Sequence, residues 1–303
     1  MTVSFPSTRP LIYNRLGSVK ACVLVHHPDG LRITGSLMPA TPDDALRAAS
    51  AFPELDTELV AARAKAAADM VGADPVALAA RTWQLDLDTD PYHVRPLVEP
   101  APLSHWVSSR IVFATLGEQA RVAHVSGHLY GADALYATHL GYTSTVVTAD
   151  GFLVCVRRTA KLLADGLHDS AIGDTALLAD MSGGEWDLRD AIVAAGRKFL
   201  GLDESDYTSV LPSLVAVRTD DAGLWVAAHS HINLDRDQLL DAVSERSQFP
   251  DPGRCSFLAW NEDAPAAAQQ LGDWTSWGVA DLASAASIDF GPPLQEWVYP
   301  SLP

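Results

Sequence analysis

The chain has 303 residues, 48% of them hydrophobic and 19% charged, with a formal net charge of −17 from 38 acidic and 21 basic side chains. Two packed units are the natural expectation for this length, and the composition supports a sizeable core and excludes global disorder. So acidic a surface repels phosphate backbones, and the longest basic cluster is only Arg157, Arg158 and Lys161, so no nucleic-acid partner is expected.

In chain order, Val19–Val25 is an apolar run, His27-Pro28-Asp29-Gly30 is turn chemistry, and Leu31–Leu37 can return beside the first run, so 19–38 reads as a hairpin. Thr41-Pro42-Asp43-Asp44 is a helix start, with an N-cap, proline at the first turn and acids behind it. The alanine-rich stretch to Gly72 reads as two helices broken near Phe52-Pro53. Residues 73–102 hold several prolines and two short extended pieces, and Trp106–Leu116 and Ala120–Val125 read as strands. From Tyr142 the pattern changes. Thr143–Thr148 is a strand, Ala149-Asp150-Gly151 a tight turn and Phe152–Arg158 a second strand, followed by a glycine-containing loop from Asp165 to Gly184. Asp187–Leu200 is a helix with Leu188, Ile192, Ala195 and Phe199 on one face, closed by Gly201. Strands follow at Ser213–Arg218 and Leu224–Ile232, then a helix at Asp235–Glu245, a strand at Cys255–Trp260 and a mostly helical region from Ala264 to Ala286.

Strand, Asp-Gly turn, strand ending in Arg-Arg, glycine loop, helix ending in Gly-Leu, then strands: this order resembles the Nudix superfamily over about 100 residues, roughly Leu140 to Leu240. The matching residues are Leu140-Gly141, Thr148-Ala149-Asp150 with Phe152-Leu153-Val154, Arg157-Arg158-Thr159, Gly166-Leu167 and Gly201-Leu202, with a weaker match at Trp83, Tyr92 and His93. The branch it is most similar to is the UDP-sugar diphosphatases, Nudix type 22, which also carry an N-terminal extension. The resemblance implies an α+β fold: a Nudix-like α/β/α sandwich with a mixed sheet over 138–303, carrying the C-terminal helical segment, preceded by an N-terminal α+β domain over 1–137.

The family's motif is Arg-Glu, two residues, Glu-Glu, one residue, glycine and an apolar residue, and its helix presents the carboxylates to magnesium. Counted back from Gly201-Leu202, the Arg-Glu positions are Ala194 and Ala195, and the Glu-Glu pair is Lys198 and Phe199. Mg²⁺ requires hard oxygen ligands, and these side chains supply none. The expectation is a diverged enzyme that acts on a small anionic metabolite, nucleotide- and diphosphate-linked ones included, without the usual magnesium-dependent hydrolysis. The alternative is a catalytically silent module that binds a nucleotide or a protein.

Six residues stand out as site candidates. His229-Ser230-His231 lies on a strand, so both rings project to one face and can ligate a transition metal, with Asp235 or His168 as third ligand, or move protons near neutral pH. His168-Asp169 sits in the loop that leads to the pocket of the resembled family and can form a proton-transfer unit. Arg157 and Arg158 suit an anionic substrate, because a guanidinium binds phosphate or carboxylate bidentately. His124 and His128 have helical spacing but lie on a strand interrupted by Gly127. Trp225, Trp274, Trp277 and Trp297 read as core or interface residues. Trp274 and Trp277 share a helical face that fits either the sheet or the second subunit of a homodimer. Cys22, Cys155 and Cys255 are scattered among apolar residues and read as buried free thiols of a reducing compartment. No basic segment followed by an apolar run opens the chain, and no stretch of about 18 apolar residues occurs, so a cytoplasmic protein without a membrane partner is expected. No Walker A loop, GxSxG elbow, GxGxxG turn or HExxH pair is present.

Overall fold

The computed structural model describes residues 21–38, 75–104, 138–158, 166–218, 223–268 and 271–291, with four isolated helical positions besides. The helices expected over 41–72, the strands expected over 106–125, His124, His128, Lys161 and Trp297 lie outside the described residues, apart from those isolated positions.

Two mixed sheets form. In the larger, β1 (Ala21–His26) pairs antiparallel with β11 (Tyr207–Arg218), β11 with β12 (Leu224–Ile232), and β12 runs parallel to β6 (Gly141–Val147). Next come β7 (Phe152–Arg157) and β13 (Cys255–Ala259), while β8 (His168–Ser170) pairs with β7 and β9 (Ile172–Thr175) with β6. The smaller sheet has the order β10 (Glu185–Asp187), β2 (Arg32–Leu37), β4 (His93–Pro102), β3 (Val76–Asp86), β5 (Thr138–His139).

The 19–38 segment corrects the hairpin expectation. Both strands and the turn exist, with Gly30 N donating to His27 O at 3.2 Å and Gly30 at φ 98. The strands do not pair with each other, however. After the turn, Leu31 N donates to Pro212 O at 2.7 Å and Arg32 N to Tyr92 O at 2.9 Å, so the chain steps from the larger sheet into the smaller. Turn chemistry fixes a local reversal, but each strand's partner is chosen by long-range burial. The expected division at 137/138 does not coincide with the division between sheets either, because β1 joins a sheet built mostly from 141–259 and β10 pairs with β2. The expected loop at 165–184 contains β8, β9 and a 3₁₀ turn at Leu178–Asp180. These strands are short and begin with His168-Asp169-Ser170, so they carry no apolar alternation to be read.

Helix α1 (Leu188–Leu200) follows the sequence closely. The Asp187 carboxylate accepts from Arg189 N at 2.7 Å and caps the first turn, and Gly201 closes the last at φ 67. Leu188, Ile192, Ala195 and Leu200 are buried, whereas Phe199 is half-buried and stacks on Phe249 with ring centroids 5.5 Å apart. Helix α2 (Arg236–Arg246) packs beside α1 and is capped by Asp235, which accepts from Gln238 N at 2.9 Å. Helices α3 (Ala264–Ala268) and α4 (Ser276–Phe290) follow β13.

The larger sheet has two unlike faces. Its α1 side packs Val146, Val154, Val215, Val226, Ala228 and Ile232 into one apolar core, which continues into the smaller sheet. Its α4 side packs Val147, Leu153, Leu214, Trp225 and Ala227 against Val279, Leu282 and Ala283. Along β12 the two-residue period therefore sends Trp225, Ala227, His229 and His231 toward α4, while Val226, Ala228 and Ile232 face α1. Among the described residues no helix is long and apolar enough to cross a membrane.

Candidate functional site

His229 and His231 converge with Asp289, which α4 delivers near its last turn. His229 Nε2 lies 2.9 Å and His231 Nε2 3.3 Å from the same carboxylate oxygen, Asp289 Oδ2. Trp260, at the end of β13, donates its indole N–H to that oxygen at 2.6 Å. On its other nitrogen, His229 Nδ1 lies 2.6 Å from the Thr145 hydroxyl on β6, directly across the parallel pair His229↔Thr145. The imidazole rings meet edge to face at 4.7 Å, and Trp260 packs on Phe290 at 5.1 Å.

The three side chains differ in access. His229 is 2% exposed, Asp289 18% and His231 37%, so a small molecule would reach His231 first. Burial pulls the His229 pKa below its ordinary value, against the opposing pull of Asp289, so its neutral form is favoured. The hydrogen bonds from both imidazoles and Trp260 outweigh partial burial and hold the Asp289 carboxyl well below the usual carboxylate range. At neutral pH the centre is an ionised carboxylate bridging two imidazoles, one sealed and one reachable.

The other predicted residues do not join this centre. Arg157 and Arg158 lie at the opposite end of β7 from Phe152, whose partner Ala259 precedes Trp260. Five residues of extended chain separate the two ends by roughly 17 Å. Arg158 is ion-paired with Asp169 and stacks over Trp277 at 5.4 Å, and Arg157 is exposed and donates to Gly166 O at 3.2 Å. Asp169 is 1% exposed and saturated. Besides Arg158 it accepts from Trp277 Nε1 at 2.7 Å, Thr275 Oγ1 at 2.8 Å and Ser170 N at 2.8 Å. It ties β8 to the first turn of α4. His168 packs its ring on Trp274 at 5.7 Å and forms no hydrogen bond to Asp169 among the described residues. Trp274 donates to Ala268 O at 2.9 Å, and Trp225 to the Thr143 hydroxyl at 2.7 Å, so these indoles pack within the chain. Asp235, named as a third ligand, caps α2 instead.

The α1 side lacks the chemistry of the resembled motif. Ala194 is exposed, Ala195 is buried, Lys198 pairs with Asp174, and Phe199 stacks on Phe249. The residue that sequence reasoning missed is Asp289. A signal existed: Asp281 and Asp289, eight residues apart, are the only charged residues in an otherwise apolar and small-residue helix. Carboxylates in such a setting are costly to bury and call for partners.

No protein-family profile and no curated protein sequence matches the chain. Among solved structures it is similar to DR0079 from Deinococcus radiodurans at 11% identity and a TM-score of 0.32, over 46% of this chain and 76% of that one. It is also similar to Tm1382, a suggested Nudix hydrolase, at 7% identity and a TM-score of 0.32, over 71% of this chain and 99% of that one. Likenesses at this level carry no argument about fold, substrate, branch or mechanism.

Proposed function

We propose that the chain is an enzyme that activates water, or a comparable small nucleophile, at the His229–His231–Asp289 centre on the α4 face of a Nudix-like sheet. One observation carries this reading: two imidazoles from one strand meet a single carboxylate oxygen of Asp289, delivered by a distant helix, with one imidazole open to solvent. Such a set holds negative charge, and its reachable edge can take up a proton from a bound nucleophile. The motif positions of α1, Ala194, Ala195, Lys198 and Phe199, offer no carboxylate to a magnesium route. A small anionic metabolite remains the proposed substrate class, although Arg158 is committed to Asp169 and Arg157 is the one of the pair left exposed.

The test is a turnover screen with UDP-sugars, ADP-ribose, NAD, CoA and simple phosphate and carboxylate esters. The expected result is an activity that His231→Ala and Asp289→Asn each reduce at least about 100-fold, the scale of losing an acid–base group. Full activity in both variants, or magnesium-dependent UMP release from a UDP-sugar, would contradict the reading. Saturable binding with no turnover in any case would instead favour the silent nucleotide-binding module.

A further inference from the structure

We infer that His229, His231 and Asp289 bind a divalent transition metal, with zinc as the ion whose preferences the set fits best. The inference rests on the reading of this centre as the working site and deepens it by naming the cofactor.

The three ligating atoms lie within 4.8 Å of one another. In a tetrahedral zinc site with bonds of about 2.0–2.2 Å, neighbouring ligand atoms sit about 3.3 Å apart. The Asp289 Oδ2 separations of 2.9 and 3.3 Å from the two Nε2 atoms match that edge. Alternate positions of one strand aim both imidazoles to the same side, as a shared ion requires. The surroundings add an independent argument. A histidine that coordinates through Nε2 carries its proton on Nδ1, and that proton needs an acceptor to fix the tautomer and ring orientation. Thr145 Oγ1 stands 2.6 Å from His229 Nδ1 in that role. Trp260 does the same for the carboxylate, donating to Asp289 Oδ2 at 2.6 Å and leaving the oxygen a second lone pair for the ion. Two nitrogens and one oxygen form a borderline donor set that suits zinc, cobalt or iron and disfavours Mg²⁺ and Ca²⁺, which take oxygen. Three protein ligands leave a fourth position for water, on the side where His231 meets solvent. With the ion bound, both imidazoles would serve as ligands and the metal, in place of a free imidazole, would supply the acidity that lets a bound water ionise near neutral pH.

The experiment uses tag-free full-length protein, stripped with a chelator and titrated with CoCl₂ and then ZnCl₂. The expected result is one equivalent of Co²⁺ with the visible bands of a four-coordinate ion, displaced by Zn²⁺. His231→Ala and Asp289→Asn should each weaken binding beyond the about 10–100-fold typical of losing an outer partner, and Thr145→Val should fall within that range. Circular dichroism checks that each variant is folded, and the exposed His231 keeps the test decisive if a buried substitution misfolds. No stoichiometric uptake by the wild type, or uptake unchanged in both ligand variants, overturns the inference. If the wild type takes no metal yet His231→Ala abolishes turnover, the metal falls and the working site stands. Stoichiometric metal with turnover indifferent to these variants keeps the metal and removes the working-site reading.

Discussion

The two faces of the larger sheet are built on opposite principles. The α1 face is apolar and close-packed. Ile192, Ala195 and Leu200 settle onto Val215, Val226 and Ala228, and Gly196 lies so near Tyr207 that an added Cβ would fall 1.8 Å from the phenol oxygen. The α4 face is laced with hydrogen bonds: Asp169 with Thr275 and Trp277, Ser170 with Asp281, Ser213 with Ser284, and His229 with Asp289. Burying polar groups costs stability unless they are paired, so a fold keeps such a seam where it positions something. Here the seam fixes α4, and α4 carries Asp289. The helix that holds the positions of the resembled motif is packed as scaffold, and the proposed centre lies across the sheet from it.

This contrast can be tested by substitutions on either side. The largest effect is expected at Asp169. Asp169→Ala leaves Arg158 without its buried partner and frees Thr275 and Trp277, and should lower unfolding free energy in urea by about 3–5 kcal/mol. A loss of turnover without a loss of stability would instead return Asp169 to a catalytic role. On the α1 face, Gly196→Ala should cost about 1–3 kcal/mol by overpacking against Tyr207, read as a lowered Tm, with metal uptake unchanged.

The pH dependence of the seam gives a signed prediction. Burial, aided by the Asp169 carboxylate and opposed by Ser170, Thr143 and Arg158, raises the Asp281 pKa well above that of an ordinary carboxyl. The folded state then holds a proton that the unfolded chain releases near pH 4, so this group's contribution is fully present below that pH and is lost as pH rises toward the folded value. Asp281→Asn should remove that slope, so its stability advantage over the wild type should grow with pH by up to about 1.4 kcal/mol per unit within the window. A difference that is flat with pH would contradict an uncharged Asp281. The smallest effect is expected on α1. Lys198→Glu restores one carboxylate of the resembled motif but breaks only a partly exposed pair with Asp174, so it should cost about 1 kcal/mol or less and create no magnesium-dependent hydrolysis.

Local chemistry was legible in the sequence. Asp187 and Gly201 bound α1 as their cap chemistry requires, the Asp150-Gly151 turn joins β6 to β7, and the strand read at 224–232 is β12, whose two-residue period puts both histidines on one face. The longer-range choices were not legible. Nothing in 19–38 reveals that β1 and β2 part into different sheets, because pairing partners depend on burial contributed by 207–218 and 93–102. Which face β12 turned toward α4 was also hidden, since Ala227 and Ala228 are equally apolar. Asp289 lies 58 residues beyond His231 in sequence, whereas the residues of the resemblance lie in α1, on the other side of the sheet, and in the loop whose Asp169 binds the opposite end of α4. His168, Asp169 and Arg158 were visible as a polar cluster, but only their partners show that this cluster anchors a helix.

The most direct measurement is an anomalous difference map at the zinc edge from crystals of the full chain grown with one equivalent of zinc. The expected result is a single strong peak about 2.0–2.2 Å from His229 Nε2, His231 Nε2 and an Asp289 oxygen. A map with no peak there, or with its strongest peak against α1, would contradict it.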